Sequence, residues 1–145
     1  MTTYVVDASV AAKWYFPEEE AELALQFMPT GREDRLEVVA PELIIYEIGN
    51  LVLRKLRMSE VEAGVAGFLL RRFLLLPLRI IASDEILVTA LEVGRASGLS
   101  YYDSCYVATA VHTGQVLVTA DRELIRLVAR TPYSQLVVRL ADAAI

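Results

Sequence analysis

Short runs of apolar residues alternate along the chain with longer stretches in which apolar residues recur at helical spacing. The short runs predict strands at 3–6, 37–40, 78–82, 116–119 and 135–139. The longer stretches predict helices at 8–16, 18–28, 41–57, 59–73, 85–97, 100–112 and 122–130. Strands that alternate with helices predict an α/β fold whose sheet is mainly parallel and has helices on both faces.

Local signals suggest where several helices begin. Pro41 suits the first position of the third helix. Ser59, with Glu62 three residues later, has the spacing of a capping box at the start of the fourth helix. Asp84 and Ser100 are predicted to cap the next two helices.

Length and composition are those of one globular unit. The chain has 145 residues, and no linker, repeat or low-complexity segment divides it, so we expect a single domain over 1–145. The lone cysteine, Cys105, is compatible with the reducing cytoplasm. We expect no signal peptide, because Asp7 interrupts the first apolar run and no basic segment precedes it. We also expect no membrane span, because charged residues and Pro77 interrupt the most apolar stretch, 68–81.

Acidic side chains follow two of the predicted strands. Asp7 comes directly after the first strand, and Asp121 lies two residues beyond the fourth. Because the carboxyl ends of parallel strands meet at one edge of a sheet, we expect both aspartates at that edge. Asp103 opens the helix that leads into the fourth strand, and Glu47 lies among apolar neighbours inside the third helix. Together the four acids predict one pocket.

Each acid also has a structural explanation. The three aspartates could cap helices, and Glu47 could lie on an exposed helix face. Three aspartates at one edge would nevertheless repel each other. A divalent ion relieves that repulsion, and carboxylate oxygens are the ligands that Mg²⁺ or Mn²⁺ prefers. Ser9, Asn50 and Thr119 lie two or three residues from an acid and could orient the carboxylates, or could serve only in local capping.

Four segments carry a resemblance to a known family. VVDASVAAKW, PELIIYEIGN, LSYYDSCYVATA and VTADREL resemble the successive motifs of the PIN domain, in the form found in VapC-type toxins of toxin–antitoxin pairs. The resemblance covers essentially the whole chain. It departs from the family at Tyr101 and Tyr102, bulky residues where smaller ones are common, which leaves the shape of the substrate cleft open.

The resemblance implies a three-layer fold with a five-stranded parallel sheet. It also implies cleavage of RNA with Mg²⁺ or Mn²⁺, a homodimer, and a protein antitoxin that blocks the site. The family's acids match Asp7, Glu47, Asp103 and Asp121, and its supporting polar residues match Ser9, Asn50 and Thr119.

We therefore predict a metal-dependent ribonuclease with Asp7, Asp103 and Asp121 on the metal. Either Glu47 or Asp103 is the candidate base. A PIN-like processing nuclease without an antitoxin and a catalytically silent binding module stay open as alternatives. The net charge of −5 argues against binding to nucleic acid. If the four carboxylates hold metal, however, they account for four of these five negative charges.

Two further groups of residues each have more than one interpretation. The aromatic run 14–16 could stack on bases, receive an antitoxin segment, or pack the first two helices together. Arg54, Lys55 and Arg57 could contact phosphate or form a solvated helix end. The only histidine, His112, is expected to be a surface residue at a helix end.

Overall fold

The computed structural model describes residues 1–32 and 35–143, which form a five-stranded sheet surrounded by helices. The strands are β1 (Thr2–Val6), β2 (Leu36–Pro41), β3 (Arg79–Ile81), β4 (Val116–Thr119) and β5 (Val137–Arg139). Their order is β3-β2-β1-β4-β5, and every neighbouring pair is parallel. The prediction of an α/β fold on a mainly parallel, five-stranded sheet is confirmed.

Seven α-helices lie in the described part of the chain. They are α1 (Ala8–Ala11), α2 (Ala21–Leu25), α3 (Leu43–Arg57), α4 (Ala63–Leu74), α5 (Leu87–Ser97), α6 (Tyr101–Thr113) and α7 (Arg122–Val128). Short 3-10 segments lie at Ala12–Trp14, Ser83–Glu85, Ser134–Leu136 and Leu140–Asp142. No helix of 1–32 or 35–143 combines the length and apolar character needed to cross a bilayer.

Helix starts were the least accurate part of the prediction. Pro41 ends β2, where it pairs with Ile81, and α3 begins two residues later, so Pro41 is not the first helical residue. Proline fits a strand end because it lacks the N–H group that an interior ladder position needs. The predicted helix at 8–16 is α-helical only to Ala11 and then tightens into a 3-10 turn.

Two predicted caps are also wrong. Ser59 has a left-handed backbone, with φ at 57°, and ends the turn after α3, so the Ser59–Glu62 capping box does not form. The extended residue before α4 is Glu62 itself. Asp84 lies inside a 3-10 turn, and α5 starts only at Leu87. Ser100 does cap α6, because its Oγ accepts a hydrogen bond from the Asp103 N–H at 3.1 Å.

The sheet is buried on both faces. Consecutive residues of β1, β2 and β4, including Val5, Val6, Val38 and Val39, have no exposed surface, which is possible only when both faces are covered. Helix α6 packs on β1, β2 and β4 and carries α5, whereas α1 packs on β4 and α3. Helix α1 directly follows the carboxyl end of β1 and contacts both β4 and α3, so these elements meet near that edge of the sheet.

The aromatic run 14–16 packs the first helices against the rest of the core. Trp14 is buried, and its Nε1 donates to the carbonyl of Ala24 in α2 at 2.8 Å. The ring of Tyr15 meets Phe73 edge-on, and the Lys55 ammonium lies 5.3 Å from the centre of the Phe16 ring. These contacts favour the packing interpretation over base stacking.

Candidate active site

Asp7 is buried at the point where β1 turns into α1. Its carboxylate is the N-cap of α1, and Oδ1 accepts hydrogen bonds from the Val10 N–H at 3.2 Å and from Ser9 Oγ at 2.5 Å. Its other oxygen, Oδ2, accepts a hydrogen bond from Thr119 Oγ1. Only 4% of Asp7 is exposed, and no salt bridge to it is found among the described residues. Three donors thus hold a carboxylate that no cation in this part of the chain neutralises.

Two hydroxyls connect this carboxylate to the end of β4. Ser9 Oγ accepts from the Ala120 N–H at 2.9 Å, and Thr119 Oγ1 accepts from the Asp121 N–H at 3.0 Å. The two oxygens lie 3.4 Å apart. Because each hydroxyl donates to Asp7 and accepts from the β4–α7 turn, Ser9 and Thr119 hold Asp7 and Asp121 in a fixed relation.

Asp121 caps α7. Its Oδ1 accepts from the N–H groups of Glu123 and Leu124, at 2.9 and 3.2 Å. Within the described residues, Oδ2 of Asp121 makes no hydrogen bond. Capping therefore uses one oxygen and leaves the second available, so capping and metal binding are compatible at this position.

Glu47 has a partner that the sequence analysis did not identify. Tyr106 is buried, and its hydroxyl donates to Glu47 Oε1 at 2.5 Å, which links α6 to α3. Tyr106 follows Asp103 by three residues, so both lie on one face of α6. That spacing was visible in LSYYDSCYVATA, but nothing in the sequence paired Tyr106 with Glu47.

The four acids influence one another as a chain of neighbours. Burial raises the pKa of Asp7 to about 6, and the negative charge of Asp121 adds to that shift. Burial and then Asp121 raise the pKa of Asp103. Burial raises the pKa of Glu47 as well; the Tyr106 hydrogen bond opposes the shift and the charge of Asp103 adds to it. Electrostatic repulsion thus links Asp7 with Asp121, Asp121 with Asp103, and Asp103 with Glu47.

A cavity of about 420 Å³ opens beside this chain of acids, and we call it the α3 cavity. Its lining includes Ser9, Glu47 and Asn50, but Asp7, Asp103 and Asp121 do not line it, so this cavity is not the single four-acid pocket that the sequence predicts. Asn50 is exposed and makes no hydrogen bond to an acid in residues 1–32 and 35–143. Ser9 and Thr119 thus donate hydrogen bonds to Asp7, as supporting residues of the site. Asn50 makes no corresponding hydrogen bond to Glu47 among the described residues.

A sequence model of the PIN domain matches residues 4–130, which is most of the chain. The chain belongs to the PIN-domain family. Two curated relatives come from Pyrobaculum aerophilum. Ribonuclease VapC3 is 30% identical over 122 residues, which cover 83% of this chain and 90% of the relative. Exonuclease VapC9 is 35% identical over 103 residues, which cover 68% of this chain and 74% of the relative.

Solved structures share the PIN fold. The Pyrobaculum aerophilum protein PAE2754 has a TM-score of 0.65 and 26% identity, with 97% of this chain and 85% of that chain covered. VapBC2 from Rickettsia felis, solved on a DNA fragment from its promoter, has a TM-score of 0.63 and 14% identity. That match covers 95% of this chain and 98% of the Rickettsia chain, and at this identity it shows the fold alone.

The acids of this PIN domain have the oxygen chemistry of a magnesium or manganese site. Their side chains are mutually repelling carboxylates, and divalent ions with hard character prefer such ligands. In the part of the chain that the structure describes, no three acid, His or Cys side chains lie close enough to form one ligand group. Mg²⁺ commonly needs only one or two carboxylates, with water and substrate phosphate completing the coordination, so the residues fit such an ion.

Proposed function

We propose that this protein is a metal-dependent ribonuclease that hydrolyses RNA phosphodiester bonds and acts as the toxin of a VapBC-type pair. The observation that supports this most is the buried, uncompensated carboxylate of Asp7. It lies beside Asp121 at the carboxyl edge of the sheet, with a raised pKa. A fold keeps such an arrangement at a cost in stability, which is typical of a functional site.

In this proposal Asp7, Asp103 and Asp121 hold Mg²⁺ or Mn²⁺ directly or through water. The bound ion would supply positive charge for the phosphate and would acidify a water. Ser9 and Thr119 fix both oxygens of Asp7, so its orientation does not depend on the ion.

Glu47 and Asp103 are the candidate bases. Each has a raised pKa, which makes it a better proton acceptor than an ordinary carboxylate near neutral pH. The Tyr106 hydroxyl holds one oxygen of Glu47. The base takes a proton from the attacking water as the new P–O bond forms and the bond from phosphorus to the leaving ribose oxygen breaks, and that oxygen takes a proton from solvent.

The names of the relatives support the partner part of the proposal. Two are VapC proteins with nuclease names, and VapBC2 was solved as a complex of that system. We propose that this chain likewise binds a protein antitoxin, that it forms a homodimer, and that it acts in the cytoplasm as one PIN domain. A PIN-like processing nuclease without an antitoxin is the second candidate, and growth arrest on expression distinguishes the two.

The decisive experiment is cleavage of a mixed RNA panel in Mg²⁺, Mn²⁺ or EDTA. The wild type is compared with Asp7→Asn, Glu47→Gln, Asp103→Asn and Asp121→Asn. We expect cleavage only with a divalent ion, and a loss of about 100-fold or more in each variant, as when a transition-state contact is removed. Asp84→Asn is the matched control, because Asp84 is exposed and belongs to no part of the site. Cleavage that survives both EDTA and Asp7→Asn contradicts the proposal.

Two outcomes separate the alternatives. RNA binding without cleavage by the wild type would indicate a silent binding module. Cleavage without growth arrest on expression in a host cell would favour the processing nuclease over the toxin.

A further inference from the structure

The α3 cavity extends from the candidate site along one face of α3. Glu47, Asn50 and Arg54 all line it, and their spacing of three and four residues places them on the same side of the helix. At a rise of 1.5 Å per residue, Arg54 lies about 10 Å along the helix from Glu47. An RNA strand that reached from Glu47 to Arg54 would therefore have to span about 10 Å.

Arg54 is the cation of this cavity that no acid neutralises among the described residues. Lys13, which also lines it, lies 3.7 Å from Glu18 and donates to the carbonyl of Glu19. Glu18 lines the cavity too, and it is shared between Lys13 and Lys55. The remaining acid is Glu47, which the proposed function already uses.

The neighbouring basic residues of α3 have other roles. Lys55 pairs with Glu60 at 3.0 Å and with Glu18 at 3.6 Å, so its charge is already used. Arg57 is exposed but does not line the cavity. The structure thus separates three basic residues that the sequence analysis could not tell apart. Of the three, only Arg54 faces the cavity without an acidic partner in the described chain.

The size and chemistry of the cavity suit part of a single-stranded nucleic acid. Its volume of about 420 Å³ lies within the usual range of small-ligand sites, roughly 300–1,000 Å³. The amide of Asn50 is exposed, makes no hydrogen bond within the described residues, and can donate to or accept from a base or ribose. The guanidinium of Arg54 can form two parallel hydrogen bonds with a phosphate.

We propose that the α3 cavity is a nucleotide subsite beside the cleavage position, in which Arg54 binds a flanking phosphate of a single-stranded RNA. This inference rests on the proposed ribonuclease function, whose substrate it locates. Arg54 acts here as a substrate-binding residue and takes no part in the chemical step.

Binding is measured in the non-cleaving Asp7→Asn background, without divalent ions, by fluorescence anisotropy over a range of salt concentrations. The probe is a labelled single-stranded RNA of about 16 nucleotides and mixed sequence. Adding Arg54→Gln should reduce the slope of log K against log salt by about 0.7, the value for one lost phosphate contact on a single strand. Arg54→Lys keeps the charge and should restore the slope.

Arg130→Gln is the control. Arg130 is exposed, has no ion pair among the described residues, and follows the end of α7 that points away from the carboxyl edge of the sheet. The salt slope of the Asp7→Asn protein with Arg130→Gln added should equal that of Asp7→Asn alone. The subsite is refuted if Arg54→Gln leaves the slope unchanged, or if Arg130→Gln lowers it equally.

Cleavage kinetics in the Asp7-containing protein separate this inference from the proposed function. Arg54→Gln should raise KM much more than it lowers kcat. If the wild type cleaves RNA and the salt slope does not respond to Arg54→Gln, the subsite is wrong and the nuclease stands. If the salt slope responds to Arg54→Gln but the wild type does not cleave RNA, Arg54 binds RNA phosphate in the α3 cavity and the proposed ribonuclease function is wrong.

Discussion

Replacing Asp7 with asparagine should stabilise the metal-free protein at neutral pH. Burial and the charge of Asp121 raise the pKa of Asp7 from 3.8 to about 6. That difference of about two units corresponds to roughly 3 kcal/mol of cost for keeping the buried carboxylate ionised, at about 1.4 kcal/mol per unit. The asparagine side chain would carry no charge, and its amide could still bond with the hydroxyls of Ser9 and Thr119. The predicted gain is therefore at most about 3 kcal/mol.

The gain should depend on pH in a defined direction. The folded pKa is the higher one, so the folded state binds more protons than the unfolded chain between pH 3.8 and about 6. The wild type therefore loses stability relative to Asp7→Asn as the pH rises through this window. Below pH 3.8 the two proteins should be equally stable. Above about pH 6 the difference between their free energies of unfolding should reach its full value.

Urea denaturation in EDTA at several pH values between about 4 and 7.5 measures this difference. Near neutral pH the full gain corresponds to a rise of roughly 6–12 °C in Tm, at 2–4 °C per kcal/mol for a chain of this size. Asp84→Asn, at an exposed acid, should change neither the stability nor its pH dependence. A variant that is no more stable than wild type at pH 7, or a gap that persists at the acid end, would refute the argument.

Three further predictions follow from the same contacts. Mg²⁺ should raise the Tm of wild type but not of Asp7→Asn, and more at pH 7.5 than at pH 5, because protons compete for Asp7; differential scanning fluorimetry tests this. Tyr106→Phe removes the donor to Glu47, so the acid limb of the kcat/KM profile should move to higher pH when Glu47 is the base, whereas an unmoved limb would assign the base to Asp103. Trp14→Phe removes the indole donor to the Ala24 carbonyl, which keeps the Phe27 N–H as a donor at 2.9 Å, and should lower the free energy of unfolding by about 0.5–1.5 kcal/mol in urea titrations.

The sheet could be predicted from sequence because each strand is short, apolar and separated from the next by helices. All five predicted strands overlap those observed, and 116–119 matches β4 at both ends. The positions of Asp7 and Asp121 follow from the same pattern, since an acid after a parallel strand falls at the carboxyl edge. These features depend on periodicity and chain order, which a sequence displays directly.

Helix starts could not be predicted as well, because tertiary contacts decide them. The Ser59–Glu62 spacing fits a capping box, yet Ser59 is in a left-handed turn whose next residue, Glu60, donates to the Lys55 carbonyl at 2.9 Å. Asp84 has good cap chemistry, but Glu85 instead accepts from the Ala82 N–H at 3.2 Å. In both places other local hydrogen bonds hold the backbone in a turn, and the α-helix begins further along the chain.

The supporting residues of the site show the same division. Ser9 lies two residues from Asp7, and its contact with that carboxylate could be anticipated from spacing. Thr119 lies 112 positions from Asp7, and it was expected to support Asp121, whereas its hydroxyl donates to Asp7. Tyr106 was missed because its partner is on another helix, 59 positions away. Sequence spacing finds local partners, but a contact between distant elements needs the fold.

The hydrogen bonds and the charges of the site have opposite effects on Asp7. Ser9, Thr119 and Val10 all donate to its carboxylate and thereby lower its pKa, yet burial and Asp121 still leave that pKa well above normal. A purely structural N-cap gains stability from its hydrogen-bond donors, and a second acid nearby, such as Asp121, would add only repulsion. The hydroxyls therefore fix the direction of a carboxylate whose charge remains uncompensated. That combination of fixed geometry and unmet charge is what a cation site requires, and it makes metal-linked stabilisation the sharpest distinction between a functional Asp7 and a merely structural one.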